Sequence, residues 1–316
     1  METLLRSTTA YKLLARDARE NRLANTYLLL MQDEDNLRAA LKIFAALFFG
    51  GGAETAARIA RENHPDCMIL PSPGKAPDKD MAEKVVEESF LSPVEGKRKV
   101  FVLDNMHRAN AVAQNKLLKS LEEPPQGVHF LLGAASEFPI LPTVRSRAAK
   151  LEIPSFSQGE IEACLKRNYP NVGNVAACAA ASDGSLGRAQ RLLLGGRFAE
   201  LSSLAMACVT AGAKDIPAAA RALGGVTEKG EFLSLLRGVY RDMLFLRLGR
   251  PAVTAGGAEG ERLCAIAREY TPAVLVYALD VFAEAEKQIT FNANLTQCVE
   301  VALWKIDKEK RKCNKS

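Results

Sequence analysis

Apolar positions in the first half of the chain alternate between two rhythms. Amphipathic runs occupy 11–20, 36–49, 79–89 and 110–123, and short continuous apolar runs occupy 27–31, 67–70, 99–104, 128–134 and 150–153. The first kind predicts helices and the second buried strands, so the pattern predicts an α/β domain on a largely parallel, five-stranded sheet. Punctuation agrees with this reading. Pro124 and Pro125 stop the helix at 110–123, because proline has no N–H to continue it, and Gly50, Gly51 and Gly52 close the helix at 36–49. After Pro154 the strand signals vanish. Ser157 and Glu160 stand at capping-box spacing and start a new helix, which puts a domain boundary near residue 155. Helices at 172–181 and 185–194, split by Asp183-Gly184, make a small helical unit, and a long periodic segment at 231–248 ends at Gly249 and Pro251. Thr271 and Pro272 are an N-cap and first-turn pair for a helix running to about Phe291. A last helix is expected at 294–306, with a short basic tail at 308–316 that frays.

Composition works mainly by exclusion. With 316 residues, 48% of them hydrophobic, there is enough apolar material for two or three packed domains. No apolar run reaches the length of a membrane span and no basic start precedes a secretory core, so the expectation is a cytoplasmic protein with no membrane partner. Seven cysteines are scattered with no C-x-x-C pair and no histidine at metal spacing, which argues against both a disulfide framework and a bound metal. The net charge of +5 permits contact with nucleic acid without requiring it.

The run from Lys99 through Asp104, Asn110 and Asn115-Lys-Leu-Leu-Lys119-Ser-Leu-Glu-Glu-Pro-Pro125 resembles the matching segment of the bacterial clamp-loader subunits of DNA polymerase III, the gamma/tau and delta-prime types of the AAA+ clamp-loader family. Downstream, Leu141-Pro-Thr-Val-Arg145-Ser146-Arg147-Ala148 is similar to that family's Ser-Arg-Cys motif. Arg22 to Leu29, His64-Pro65-Asp66 and Tyr240 to Leu248 also resemble family landmarks. The likeness is dense over 99–154 and thin beyond 200. It implies an AAA+-like α/β domain at 1–155, a helical lid at 156–205 and an all-α helical collar for oligomerisation at 206–316. Partners implied are gamma/tau and delta subunits and, through the complex, the sliding clamp and primer–template DNA.

A working P-loop after the first strand needs G-x-x-x-x-G-K-[ST], whose backbone N–H groups, lysine and hydroxyl hold the phosphates and magnesium. This chain has Gln32, Asp33, Glu34, Asp35 and Asn36 there, with no glycine, no lysine and three carboxylates that repel a triphosphate. At the second ATPase motif the strand ends in Asp104, but the acidic residue that should follow is Asn105. Gly187 stands where the sensor-two arginine of active relatives falls. Arg188 is one residue late, about 100° around a helix. The expectation is therefore that the chain binds no cofactor and is not itself an ATPase, while ATP and Mg are bound by partner subunits.

The resemblance assigns function to Arg147, an arginine donated in trans to a neighbour's ATP site, with Ser146 as supporting motif residue and Ala148 in place of the family's cysteine. The bland reading of Arg145 and Arg147 is a pair of solvated charges at a strand entrance. Lys116 and Lys119 on the helix at 110–123 are candidate contacts to DNA phosphate or a neighbouring subunit, against an ordinary ion pair of Lys119 with Glu123. His64-Pro65-Asp66 reads as a turn launching the second strand. Many relatives carry a four-cysteine zinc insert just before it, but 50–63 contains no cysteine, so zinc is not carried over. Two other functions remain open: a diverged AAA+ ATPase of gamma/tau type, which would bind nucleotide alone, and an ATP-independent DNA-binding scaffold, which would bind DNA without partners.

Overall fold

The structure is a computed structural model and describes residues 1–252, 257–290 and 292–313. It divides into two compact units, Met1–Ser155 and Phe156–Ser316. The first unit runs α1 (Glu2–Ser7), α2 (Thr9–Arg19), β1 (Thr26–Met31), α3 (Glu34–Phe48), α4 (Ala53–Ala60), β2 (Cys67–Leu70), α5 (Lys79–Ser89), β3 (Lys99–Leu103), α6 (Ala111–Glu122), β4 (Val128–Ala134), α7 (Pro142–Arg145) and β5 (Ala149–Ile153).

All five strands are parallel and lie in the order β2-β3-β4-β1-β5. That order explains their sequences. The three inner strands are buried along their whole length and read as predominantly apolar runs, because helices cover both faces of a parallel sheet. Only the edge strands β2 and β5 alternate, and β5 turns Lys150 and Glu152 to solvent. Phe101 on β3 and Phe130 on β4 pair across the sheet with rings stacked 5.5 Å apart, over a core that includes Leu28, Leu103, Leu117, Leu121 and Val144.

Two glycine features set the sheet's cover. Gly50 and Gly51 take φ of +86° and +70°, and the Gly51 N–H returns to Ala46 O at 2.9 Å, so α3 ends there as the sequence implies. Gly133 on β4 leaves room for Leu41 of α3: a Cβ at that position would stand 2.4 Å from Leu41 Cδ1.

The second unit is helical throughout its described residues: α8 (Gln158–Asn168), α9 (Val175–Ala181), α10 (Leu186–Leu194), α11 (Phe198–Thr210), α12 (Ile216–Arg221), α13 (Lys229–Arg247), α14 (Gly257–Ala267), α15 (Pro272–Thr290) and α16 (Leu295–Cys313). Ser157 caps α8 through a complete capping box with Glu160. Helix α13 packs against α11 and α15, and Tyr240 of α13 sits fully inside, 5.1 Å from the Phe282 ring. Residue 205, the expected end of the lid, lies within α11. Phe291 and residues 314–316 lie outside the described residues. The basic tail is not frayed as far as Cys313. Lys310 sits 4.2 Å from the Tyr270 ring centre and 2.7 Å from Glu269, and Arg311 pairs with Asp307 at 2.8 Å, so α16 continues well beyond the expected end at 306.

Candidate functional site

In a parallel α/β sheet, ligand sites form at the C-terminal ends of the strands. At that end of β1 only Gln32 and Asp33 separate the strand from α3. Two residues are too few for a loop that wraps phosphates. The N-terminus of α3, whose free N–H groups would attract an anion, already carries Glu34 and Asp35 in its first turn, and Asn36 donates to the Asp33 carboxylate at 3.0 Å. Gln32 and Asp35 are exposed, and Asp33 is buried.

Two carboxylates at this end of the sheet, Glu34 and Glu62, are paired within the same chain. His107 accepts the Ala135 N–H at Nδ1, so Nε2 carries the proton and faces Glu34 Oε1 at 3.4 Å. Arg108 also pairs with Glu34. The His107 ring facing it, with the nearby Arg108 charge, outweighs burial and holds Glu34 down at a pKa of about 2. Arg38, one turn along α3, reaches across the sheet end. It grips Glu62 with two hydrogen bonds of 2.8 Å, donates to Pro71 O at 2.8 Å and stands 3.4 Å from Asp104 Oδ2. Lys42 adds a second cation to Glu62 at 2.8 Å, and Glu62 is held at about 2, chiefly by the Arg38 hydrogen bonds.

Asp104 stands just past the end of β3. Burial raises its pKa against the pull of Arg38, and its Oδ1 has no hydrogen-bond partner among the described residues. Asn105 follows in the left-handed region at φ +56°, a conformation asparagine tolerates. The cation beside Asp104 is thus a guanidinium. None of Arg38, Glu62, His107 or Arg108 stands out in the sequence, since the partners of Arg38 lie 24 and 66 residues away.

Arg147 lies elsewhere. It precedes β5 by two residues, and the first residue of β5, Ala149, pairs with Tyr27 near the start of β1. The register therefore sets Arg147 toward the N-terminal end of the sheet, opposite the end where residues 32–36 and Asp104 gather. Its side chain is about 30% exposed, with Nη2 donating to Glu122 Oε1 at 2.7 Å and Nη1 to Thr143 O at 2.9 Å. Ser146 donates to Thr143 O at 3.2 Å and so tightens the turn that ends α7.

Gln114 supports this segment from α6. It is buried, donates to Ala109 O and Pro139 O at 2.9 and 3.1 Å, and accepts from the Leu141 N–H at 2.8 Å. It fixes the entry of the segment that carries Arg147. The one available signal was a glutamine on the apolar stripe of α6.

The two candidate lysines differ. Lys116 is tied to Glu83 of α5 at 3.2 Å, while Lys119 is exposed and forms no ion pair among the described residues, with Glu123 included. In the second unit, Gly187 is buried in α10, and Arg188 joins Arg237 and Arg241 around Asp183, 3.0 Å from Ser234 Oγ. The His64-Pro65-Asp66 turn precedes β2, as expected. Burial alone would raise the Asp66 pKa, but the N–H groups of Val94, Glu95 and Gly96 converge on its carboxylate and lower it.

Residues 6–157 match the family described as DNA polymerase III, delta subunit. The chain is similar to the DNA polymerase III subunit delta' of Bacillus subtilis, 28% identical over 159 residues, 48% of each protein. It is also similar to the DNA polymerase III subunit gamma of Buchnera aphidicola subsp. Schizaphis graminum, 31% identical over 91 residues, which are 29% of this chain and 25% of that one. In both pairs the chain spans less than half of the relative's length. Among solved structures, a DNA polymerase III gamma subunit-related protein of Thermotoga maritima superposes with a TM-score of 0.47 and 16% identity, over 95% of this chain and 99% of that one.

Proposed function

We propose, from the match of residues 6–157 to the family described as DNA polymerase III, delta subunit, and the likeness to a delta' subunit, that the chain is a delta-prime-type clamp-loader subunit that donates Arg147 to a neighbour's ATP site. The observation that carries this reading is the position of Arg147 at the sheet end away from its own chain's degenerate pocket, from which it can serve a nucleotide only in trans. A guanidinium suits that role, being planar, permanently charged and able to neutralise charge developing on a transferring γ-phosphoryl group.

The companion proposal is that this chain binds no nucleotide of its own. A two-residue connection replaces a phosphate loop, carboxylates occupy the N-terminus of α3, and Arg38 covers Asp104. ATP and magnesium belong to gamma/tau neighbours, and the delta subunit, the sliding clamp and primer–template DNA complete the assembly. Lys119, exposed and without an ion pair among the described residues, is the better of the two lysines for a DNA phosphate, since Lys116 is engaged with Glu83.

The test is ATP turnover by a loader reconstituted from one organism's subunits, with clamp and primed DNA, comparing wild type, Arg147→Ala and no chain. An arginine finger contributes roughly 10³- to 10⁵-fold at the site it serves. Arg147→Ala should therefore assemble normally yet silence that site. Equal turnover by the variant refutes the donor role and leaves Arg147 as a surface charge. A diverged ATPase would instead show nucleotide binding by the isolated chain, and a DNA-binding scaffold would show DNA affinity without partners.

A further inference from the structure

We infer that Glu122 is a positioning residue that parks Arg147 in cis, so that the arginine is withheld from a neighbour's nucleotide until the assembly pulls it free. This rests on the arginine-donor reading above. Glu122 is the last residue of α6, with Glu123 beside it as the C-cap. Helix C-termini carry partial negative charge, so two carboxylates there are poorly placed unless a cation joins them. The basic residue in that last turn, Lys119, makes no ion pair with either among the described residues. The cation that does arrive is Arg147, 25 residues further on, at 2.7 Å from Glu122 Oε1.

The contact occupies the atoms that a phosphoryl group would need. Nη2 is on Glu122, Nη1 is on Thr143 O, and Nε is buried without a hydrogen-bond partner among the described residues. To reach an anion on another subunit, the guanidinium must exchange one carboxylate for phosphoryl oxygens. Glu122 cannot travel with it, since a carboxylate beside a triphosphate would be repelled. The pair is also weak enough to exchange. Glu122 is 55% exposed, and ion pairs of that kind shift an equilibrium by no more than about five-fold. Glu122 thus biases Arg147 toward rest without locking it there. Gln114, holding Pro139 and Leu141 to α6, keeps the backbone of the segment fixed while the side chain moves.

The experiment is turnover by the reconstituted loader with and without clamp and primed DNA, for wild type, Glu122→Gln, Arg147→Ala and the double variant. Glu122→Gln should raise unstimulated turnover by roughly two- to five-fold, on the order set by an exposed ion pair, and so lower the stimulation ratio. Its effect should vanish in the Arg147→Ala background, a coupling that a merely structural role of Glu122 would not produce. Unchanged turnover for Glu122→Gln overturns the parking contact while Arg147→Ala still silences the site. Reduced turnover overturns it too, and makes Glu122 a support for the active arginine. If Arg147→Ala itself matches wild type, the donor reading fails first. Far-UV circular dichroism melts of the isolated variants separate all of these outcomes from misfolding.

Discussion

At the scale of single residues, the end of the sheet is held by charge pairs that close on themselves. Glu62, with a folded pKa of about 2 against an ordinary 4.5, stabilises the fold above pH 4.5, and that contribution is lost as the pH falls toward 2. Glu62→Gln should therefore cost about 1–3 kcal/mol at pH 7, from the loss of charged hydrogen bonds to Arg38. The gap between variant and wild type in urea melts should close across that acid window. A gap independent of pH would mean that Glu62 acts through packing. Gln114→Ala should cost about 2–4 kcal/mol, because it strands Ala109 O, Pro139 O and the Leu141 N–H inside the protein. Asp104 and Arg147 draw attention in the sequence because each sits in a motif of fixed spacing. Arg38, Gln114 and Glu122 were not, because their significance comes from partners that only the folded chain brings near.

At the scale of elements, the inner strands were readable because burial on both faces leaves mostly apolar residues, with Thr26, Lys99 and His129 as the buried polar exceptions, and β4 matches its expected limits, 128–134. The elements that escaped are short or monotonous. Helix α7 has four residues, α4 is a short alanine-rich helix behind a glycine cluster, and α11 has polar residues scattered among apolar ones. Helix α16 was cut short because its last turns look like a solvated basic tail, and only Tyr270 and Glu269 of the preceding segment give Lys310 a place to dock. Close fit between elements is testable at Gly133. A methyl group there meets Leu41, so Gly133→Ala should cost about 1–3 kcal/mol, and adding Leu41→Ala should cost less than its own separate value, since the new methyl would fill part of the vacated space. Strict additivity in thermal melts would show that α3 simply shifts away.

At the scale of the whole molecule, the isolated chain should show no saturable ATP binding at micromolar concentration by calorimetry. Saturation there would restore the ATPase reading. In the loader, neutralising Lys116 and Lys119 together should flatten the salt dependence of DNA-stimulated turnover, by a slope of about 0.9 for each phosphate that a lysine no longer neutralises. No change in slope would leave both lysines as ordinary surface charges.

Strand order carries a further consequence, for synthesis. Strand β1 is written near the start of the chain, yet both its neighbours, β4 and β5, come after residue 127. A ribosome adding roughly 5–20 residues per second takes about 5–20 s to make the ~100 residues in between. For that interval Tyr27 to Met31 emerges as an unpaired, wholly apolar segment while β2 and β3 can already join. The nascent chain is therefore most in need of a chaperone early, and its sheet can close only when the last third of the first unit has left the exit tunnel.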